Sequence, residues 1–173
     1  MPALEDPNFF HSVTYICEHN EQGAMGIVIN QPLDISLGDV LTHMEMSVHD
    51  ESLTTTPVYL GGPVQTDRGF VLHEPLGEWD SMLAITHSLA VTTSQDILQA
   101  LNDGEGPERS LVALGYAGWG EGQLEHELVA NTWLTCPADS AIIFDTPIEN
   151  RWTAAAASLG IDLNTLSGSF GHA

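Results

Sequence analysis

Apolar and polar residues alternate near the beginning of the chain as they do in paired strands. The segment 13–18 places alternate residues on opposite faces, with Tyr15 and Cys17 on the same face. The segment 24–29 is continuously apolar and predicts a strand that is buried on both faces. The polar residues 19–23 between them predict a hairpin loop of about five residues. Further strands are predicted at 58–60, 69–72, 111–116 and 141–144, and an extended segment at 84–92.

Apolar residues with helical spacing follow in the segment 36–44, at positions i, i+3, i+4 and i+7. Ser36 and Asp39 at its beginning have the spacing of a helix cap. A second helix is predicted after the capping residues 93–96 and a third at 123–131. The segments 49–56 and 102–107 lack a period and are predicted to be loops.

The clearest local signal is the run Thr146-Pro147-Ile148-Glu149, which has the pattern of a capping box with proline at the first helical position. The helix that it predicts packs Ile148, Trp152 and Leu159 against the core and ends at Gly160. Strands and helices are therefore mixed along the chain. The pattern predicts a single α+β domain over residues 1–173.

The charge balance restricts the partners that this chain can have. It carries 24 acidic residues and only three cations (Arg68, Arg109 and Arg151), with a formal net charge of −21. Direct binding of nucleic acid and attraction to an anionic membrane are not expected, because both rest on Lys and Arg. Arg109 and Arg151 are expected to bind a carboxylate or to cap backbone carbonyls, whereas for Arg68 such a structural role and a functional role remain open. Arg151 is expected on the exposed side of the last helix.

Signals for metal binding, catalysis and targeting are weak. The eight histidines form no HExxH motif, and the two cysteines form no CxxC motif, so neither a metal nor a cofactor is predicted. Cys17 and His19 share a strand face, but the neighbouring Glu18 opposes thiolate formation by raising the thiol pKa. Residues 61–63 are glycine-rich but lack a Walker lysine. No signal peptide or membrane span is evident, and two reduced thiols are typical of a cytoplasmic protein.

Ordered sequence blocks run through nearly the whole chain and resemble the AlgH/YqgE family of bacterial proteins. The blocks include Met1-Pro2-Ala3-Leu4, Tyr15-Ile16-Cys17-Glu18-His19, Gly23-Ala24-Met25-Gly26, Gly61-Gly62-Pro63-Val64, Asp67-Arg68-Gly69-Phe70-Val71-Leu72-His73, Leu114-Gly115-Tyr116-Ala117-Gly118-Trp119, Gly122-Gln123-Leu124-Glu125, Arg151-Trp152 and Gly171-His172-Ala173. The resemblance implies an α+β fold, in which helices surround a bifurcated mixed sheet with a barrel-like part. It also implies a cytoplasmic protein with no established enzyme activity or cofactor.

Members of that family usually begin with an extra strand-like stretch before the Met-Pro block. Here the chain starts at Met1, so we expect an unpaired edge or groove near the first strand. Members are often labelled transcriptional regulators, from a genetic association with exopolysaccharide production. This chain has no recognisable helix-turn-helix and few cations, so any effect on transcription is expected to pass through another protein.

Two functional hypotheses follow from the sequence. The first is a non-enzymatic regulatory or adaptor protein that acts through contacts with another protein. The alternative is a small-ligand binder or an enzyme that uses the polar residues of the family motifs. The candidate binding residues are Glu18, His19, Asn30, Arg68, His73 and Trp119. Their convergence on one concave pocket would favour the alternative, and their scatter would favour the adaptor.

Salt is expected to stabilise the folded protein, because most of its carboxylates have no cation partner and repel one another. Screening shortens the reach of this repulsion from about 30 Å at 0.01 M salt to about 3 Å at 1 M. The thermal midpoint should therefore rise with NaCl and with KCl at equal ionic strength. A midpoint that stays flat or falls over this range would show that self-repulsion does not limit stability.

Overall fold

Eight strands form one mixed sheet in the computed structural model, which describes residues 11–160. The strands are β1 (Thr14–Asn20), β2 (Gly23–Val28), β3 (Pro32–Ser36), β4 (Pro57–Leu60), β5 (Val64–Glu74), β6 (Met82–Ala84), β7 (Ala90–Thr92) and β8 (Arg109–Trp119). The α-helices are α1 (Leu37–His43), α2 (Gln95–Asn102), α3 (Gln123–Val129) and α4 (Arg151–Ala157). Short 3-10 helices lie at Glu51–Thr54 and Ile148–Asn150, and a π-helical turn at Ala141–Asp145.

The long strand β8 divides the sheet into two branches. Along one side it pairs antiparallel with β5, from Arg109 opposite Glu74 to Tyr116 opposite Val64. Along the other side, residues 112–114 pair parallel with β4 and residues 117–119 pair antiparallel with β2. β1 extends the β2 branch, β3 extends the β4 branch, and β7 and β6 continue the sheet beyond β5. The predicted α+β class and bifurcated sheet are confirmed.

Both faces of the central strands are buried, and each face has its own core. Leu72 of β5 packs with Ile27 of β2 and with Ile143 of the π-helical turn in one cluster. Val71, the preceding residue of β5, packs on the opposite face with Leu41 of α1 and with α2. Full burial of one such side chain contributes about 1.5–3 kcal/mol. The helices therefore hold the curled sheet from two sides.

Helix α1 forms as its sequence predicts. The Ser36 hydroxyl accepts a hydrogen bond from the Asp39 amide, and an Asp39 carboxylate oxygen accepts one from the Ser36 amide at 2.8 Å. This reciprocal capping box satisfies two backbone donors that the first turn leaves without a partner. Leu37 and Leu41 then face the core.

The second predicted capping box, at residues 146–149, is wrong. Both the amide and the hydroxyl of Thr146 donate to the carbonyl of Ala141, at 2.8 and 2.9 Å, and close the π-helical turn. The Thr146 side chain is therefore not available as a helix cap, and α4 begins later, at Arg151. The predicted strand at 141–144 is also wrong, since these residues belong to the π-helical turn. Four consecutive apolar residues fit a buried helical turn as well as a strand, so the sequence pattern does not distinguish the two.

Two other segments differ from their predicted form. Residues 84–92 are a hairpin between β6 and β7, because the Thr86 hydroxyl accepts hydrogen bonds from the amides of Ser88 and Leu89 and holds a turn. The loop between β1 and β2 has two residues, since pairing extends to Asn20 and Gly23. β3 was not predicted, and the predicted loop at 49–56 contains a 3-10 helix.

Glycine permits the close approach of the β4–β5 turn to β8. A Cβ atom on Gly61 would lie 2.3 Å from the carbonyl oxygen of Gly115, and one on Gly62 would lie 2.0 Å from the backbone of Tyr116. Gly115 has a φ of +76°, which few other residues adopt. The glycine-rich residues 61–63 therefore serve backbone packing.

Gly61→Ala tests this packing without a change of backbone region, because Gly61 does not have a positive φ. The new methyl group would push against backbone, so we expect a loss of about 3 kcal/mol in the free energy of unfolding. Gly69→Ala is the matched control, since nothing lies within 4 Å of its Cβ position. Urea denaturation of both variants provides the measurement. Equal stabilities would contradict the packing role of Gly61.

Candidate functional site

Strands β2, β5 and β8 form the floor of an open concavity of about 870 Å³. Three of the six candidate residues line it, namely Glu18, Arg68 and Trp119. Asn20 donates to the Glu18 carboxylate at 3.4 Å on the exposed end of β1. The structure therefore brings half of the candidate residues into one concave site.

A bulge in β5 positions Arg68. Between Val64 and Gly69 the strand advances five residues, while β8 advances only two. Gln65 and Arg68 of this bulge line the concavity, and Gln65 has a φ of +50°. Bulges of this kind turn side chains away from the regular strand direction.

The Arg68 side chain folds back along its own strand. Its guanidinium carbon lies 5.7 Å from the centroid of the Phe70 ring, and its nitrogens donate to Gln65 at 3.5 Å and Thr93 at 3.3 Å. Within residues 11–160 no carboxylate lies at salt-bridge distance from it. The Arg68 guanidinium is therefore not paired with a carboxylate in the described part of the chain, although Asp67 precedes it and Glu18 lines the same concavity.

The other two arginines are held by the protein itself. Arg109 pairs with Asp145 at 3.1 Å and with Glu74 at 3.8 Å, which confirms the predicted ion pairing. Arg151 is buried rather than exposed, so its predicted location is wrong. It donates to the carbonyls of Thr146 and Ile29, and its guanidinium lies over the Tyr59 ring. These contacts replace the water that it loses and confirm its carbonyl-capping role.

The remaining candidate residues, His19, Asn30 and His73, lie outside the concavity. His19 hydrogen-bonds the Glu125 carboxylate on α3, and this contact lowers the pKa of Glu125. Asn30 accepts from the Val13 amide and donates to the His11 carbonyl, both at 2.9 Å. It therefore ties the beginning of the described chain to the end of β2.

His73 is fully buried in β5. Its Nδ1 donates to the Pro75 carbonyl at 3.0 Å, so in the neutral ring Nε2 accepts from the Thr92 hydroxyl at 2.7 Å. Burial lowers the pKa of His73, although the Pro75 carbonyl partly opposes this shift. The neutral ring connects β5 to β7.

Cys17 is the extra residue of a bulge in β1 and is buried, whereas His19 is exposed. The two side chains therefore do not share an environment, and the predicted common face is wrong. Burial, with a smaller contribution from Glu18, raises the pKa of Cys17 to about 12. Such a thiol is not ionised at neutral pH. No group of three or more metal-binding side chains occurs in residues 11–160.

A second cavity, which we call the β1 groove, lies beside the edge strand. It has a volume of about 270 Å³ and is largely apolar. Its walls come from both ends of the described chain and include Ile16, Trp119, Leu134, Trp152 and Leu159. Trp119 lies between the two cavities and packs edge-on against Trp133, with ring centroids 5.7 Å apart.

The sequence led us to expect an unpaired edge or groove near the first strand, but it did not identify the residues that line this groove, because they form no local motif. The segment 132–139 supplies one wall without helical or strand periodicity. Its signal in the sequence is the apolar pair Trp133 and Leu134 in a segment that also contains polar residues and Pro137. None of the helices in residues 11–160 has the length and apolar character that crossing a bilayer requires.

The fold and its cavities define an α+β protein built on a bifurcated sheet, with a concavity on one branch and an apolar groove at its edge. Residues 1–164 match the AlgH-like family, and the chain belongs to that family. It is 62 % identical over 173 residues to a UPF0301 protein of Thioalkalivibrio sulfidiphilus, covering all of this chain and 92 % of the relative. A UPF0301 protein of Nitrosococcus oceani is 54 % identical with the same coverage.

Solved structures share the fold. The solution structure of the AlgH protein from Pseudomonas aeruginosa superposes with a TM-score of 0.82 at 53 % identity, covering 100 % of this chain and 92 % of that one. The crystal structure of protein DIP2367 from Corynebacterium diphtheriae gives a TM-score of 0.70 at 20 % identity, covering 88 % and 80 %. The second likeness concerns the fold alone.

The lowered pKa of His73 predicts a loss of stability in weakly acidic solution. The unfolded chain binds the proton near the ordinary pKa of 6.5, and the folded protein binds it less readily. The contribution of His73 is therefore complete above this pH and is lost as the pH falls from about 6.5 towards the lower folded pKa.

Titration of the His73 ring protons by NMR measures the folded pKa directly. We also expect His73→Gln to reduce the difference in unfolding free energy between about pH 7.5 and about pH 5.5. A folded pKa of His73 at or above its ordinary value would contradict the burial argument.

Proposed function

We propose that this protein is a non-enzymatic regulatory or adaptor protein that acts by binding another protein. The β1 groove and the edge of β1 that no strand of residues 11–160 pairs with are its contact surface. The observation that supports this proposal most directly is that the edge strand β1 and the apolar β1 groove lie side by side. Together they supply backbone hydrogen bonds and apolar contacts to the same segment of a partner.

The backbone of β1 supports the first part of this surface. The Val13 amide donates to Asn30 and its carbonyl accepts from the Ile29 amide, so both groups point towards β2. Because direction alternates along an antiparallel strand, the backbone groups of Thr14 and Ile16 point away from β2. In residues 11–160 no strand pairs with that side.

Exposed apolar side chains support the second part. Six large hydrophobic residues are exposed in the described chain, and Ile16, Leu134 and Leu159 among them line the groove. The Thr14 hydroxyl, also of a groove residue, is buried without a hydrogen-bond partner in that part of the chain. Clustering of this kind marks interaction surfaces.

Charge complementarity supports a partner of a particular kind. With a net charge of −21, the surface attracts basic chains and repels acidic ones. The occupant that we propose is an extended segment of another protein, with apolar residues for the groove and Lys or Arg on its flanks.

A non-enzymatic role agrees with the state of the buried polar groups. The high pKa of Cys17 leaves it a weak nucleophile, and the neutral ring of His73 serves the packing of two strands.

The two free cysteines support a cytoplasmic location. With few cations, the protein would affect transcription indirectly, through its partner.

The alternative function, a small-ligand binder or an enzyme, is supported by the grouping of Glu18, Arg68 and Trp119 around the concavity. In residues 11–160 no carboxylate lies at salt-bridge distance from Arg68, and the grouping supports binding rather than a reaction.

Site-specific photo-crosslinking in the native host tests the groove. A photoreactive residue at Leu134 should capture an extended, basic-flanked segment of a partner, and one at Val129 should not. Val129 is the matched control, because it is 84 % exposed and lies outside the groove. Crosslinks from Leu134 only to residues of its own chain would contradict the proposal, since the groove would then be filled internally.

A synthetic peptide of the captured segment provides the second measurement. Ile16→Pro removes an amide that points away from β2, whereas Ile16→Ala removes only the side chain. We expect Ile16→Pro to weaken peptide binding at least about tenfold and Ile16→Ala to weaken it less. Thermal melts confirm that both variants fold. Equal binding by the proline variant would exclude strand addition at β1.

A further inference from the structure

We infer that the concavity beside Arg68 binds a small monocarboxylate with an apolar body, with the Arg68 guanidinium as the group that holds the carboxylate. This site is separate from the contact surface proposed above, and it does not depend on that function. The inference rests on the availability of one cation, the walls around it and the charge of the whole chain.

Arg68 is oriented but not neutralised. The Phe70 ring and the Thr93 hydroxyl hold its guanidinium, and both partners are neutral. The two hydrogen bonds of 3.3 and 3.5 Å are long, and most of its five donors remain for a ligand. A guanidinium fork matches the two oxygens of a carboxylate.

Within residues 11–160 the lack of a carboxylate at salt-bridge distance from Arg68 is unusual, since acids outnumber cations 24 to three in this chain. Arg109 has two carboxylates beside it, and Arg151 is capped by carbonyls. The β5 bulge carries Arg68 to the concavity, and Gln65 keeps its left-handed backbone there. Backbone strain of this kind is characteristic of binding sites.

The walls of the concavity suit an apolar body. They include Met25, Phe70, Met82, Leu83, Tyr116 and Trp119. Leu83 is 40 % exposed there, and the Phe70 and Tyr116 rings pack edge-on at 5.5 Å. Methionine and aromatic side chains adapt to ligands of different shape.

The net charge opposes every anion and opposes a dianion more than a monoanion, so among anions it favours a monoanion. A phosphate dianion would interact with the negative field of the whole chain twice as strongly as a carboxylate. It would find one arginine, with Glu18 on the wall of the same concavity. A carboxylate needs only one guanidinium, so it is the anion that this site can hold.

NMR titration with 4-phenylbutyrate tests the site, with 4-phenylbutyramide as the neutral analogue and inorganic phosphate as the dianion. We expect the carboxylate to shift the amide resonances of residues around the concavity, with a dissociation constant on the order of 1 mM. The amide and phosphate should bind at least about tenfold more weakly. A blocked tripeptide ending in phenylalanine presents the same chemistry, and its relative affinity shows whether a free acid or a chain terminus is preferred.

Arg68→Gln should weaken binding of 4-phenylbutyrate at least about tenfold. Arg109→Gln is the matched control, because it removes the same charge outside the concavity and should leave the affinity unchanged. Arg68→Lys keeps the charge without the fork and should have an intermediate affinity. The inference is overturned if no saturable binding occurs, if the amide or phosphate binds equally well, or if Arg68→Gln has no effect. Shifts confined to the β1 groove would also overturn it.

Discussion

Strand β8 pairs with β5 along one side and with both β4 and β2 along the other, and the architecture depends on this one constraint. The parallel strand β4 and the antiparallel strand β2 share the side of β8 that faces away from β5. Backbones must therefore crowd where one partner ends and the other begins. The crowding falls on Gly61, Gly62 and Gly115, where no side chain fits. The division of the sheet and the β5 bulge meet at this junction, where Val64 and Thr66 lie against Gly115.

The parts of the fold that depend on local chemistry could be predicted from the sequence. The hairpin of β1 and β2 follows from a change of hydrophobic pattern across a polar turn, and α1 follows from Ser36 and Asp39 at its beginning. Both signals lie within a few residues of the structure that they predict. The interactions that stabilise the hairpin and the helix cap are made between residues close in sequence, so little information from the rest of the chain is needed to predict them.

Predictions failed where distant residues decide the outcome. Thr146 has the sequence of a helix cap, but the free carbonyl of Ala141 takes both of its donors. Arginine usually lies at the protein surface, but Arg151 is buried, and backbone carbonyls from two parts of the chain replace the water that would hydrate its guanidinium. Family motifs indicated Glu18, Arg68 and Trp119, which do lie together, and also His73, which packs between strands. A motif shows that a residue matters, and only its neighbours show whether it binds or packs.

The hydrogen bond from Arg151 to Ile29 also bears on the order of folding. It joins residues 122 positions apart, so its formation closes a very long loop. The pairing of β1 with β2 needs only a short loop and can form early. During synthesis the guanidinium leaves the ribosome long after its acceptor carbonyl. Docking of α4 is therefore a late event, and until then the carbonyl of Ile29 lacks its guanidinium donor and stays open to solvent or to a chaperone.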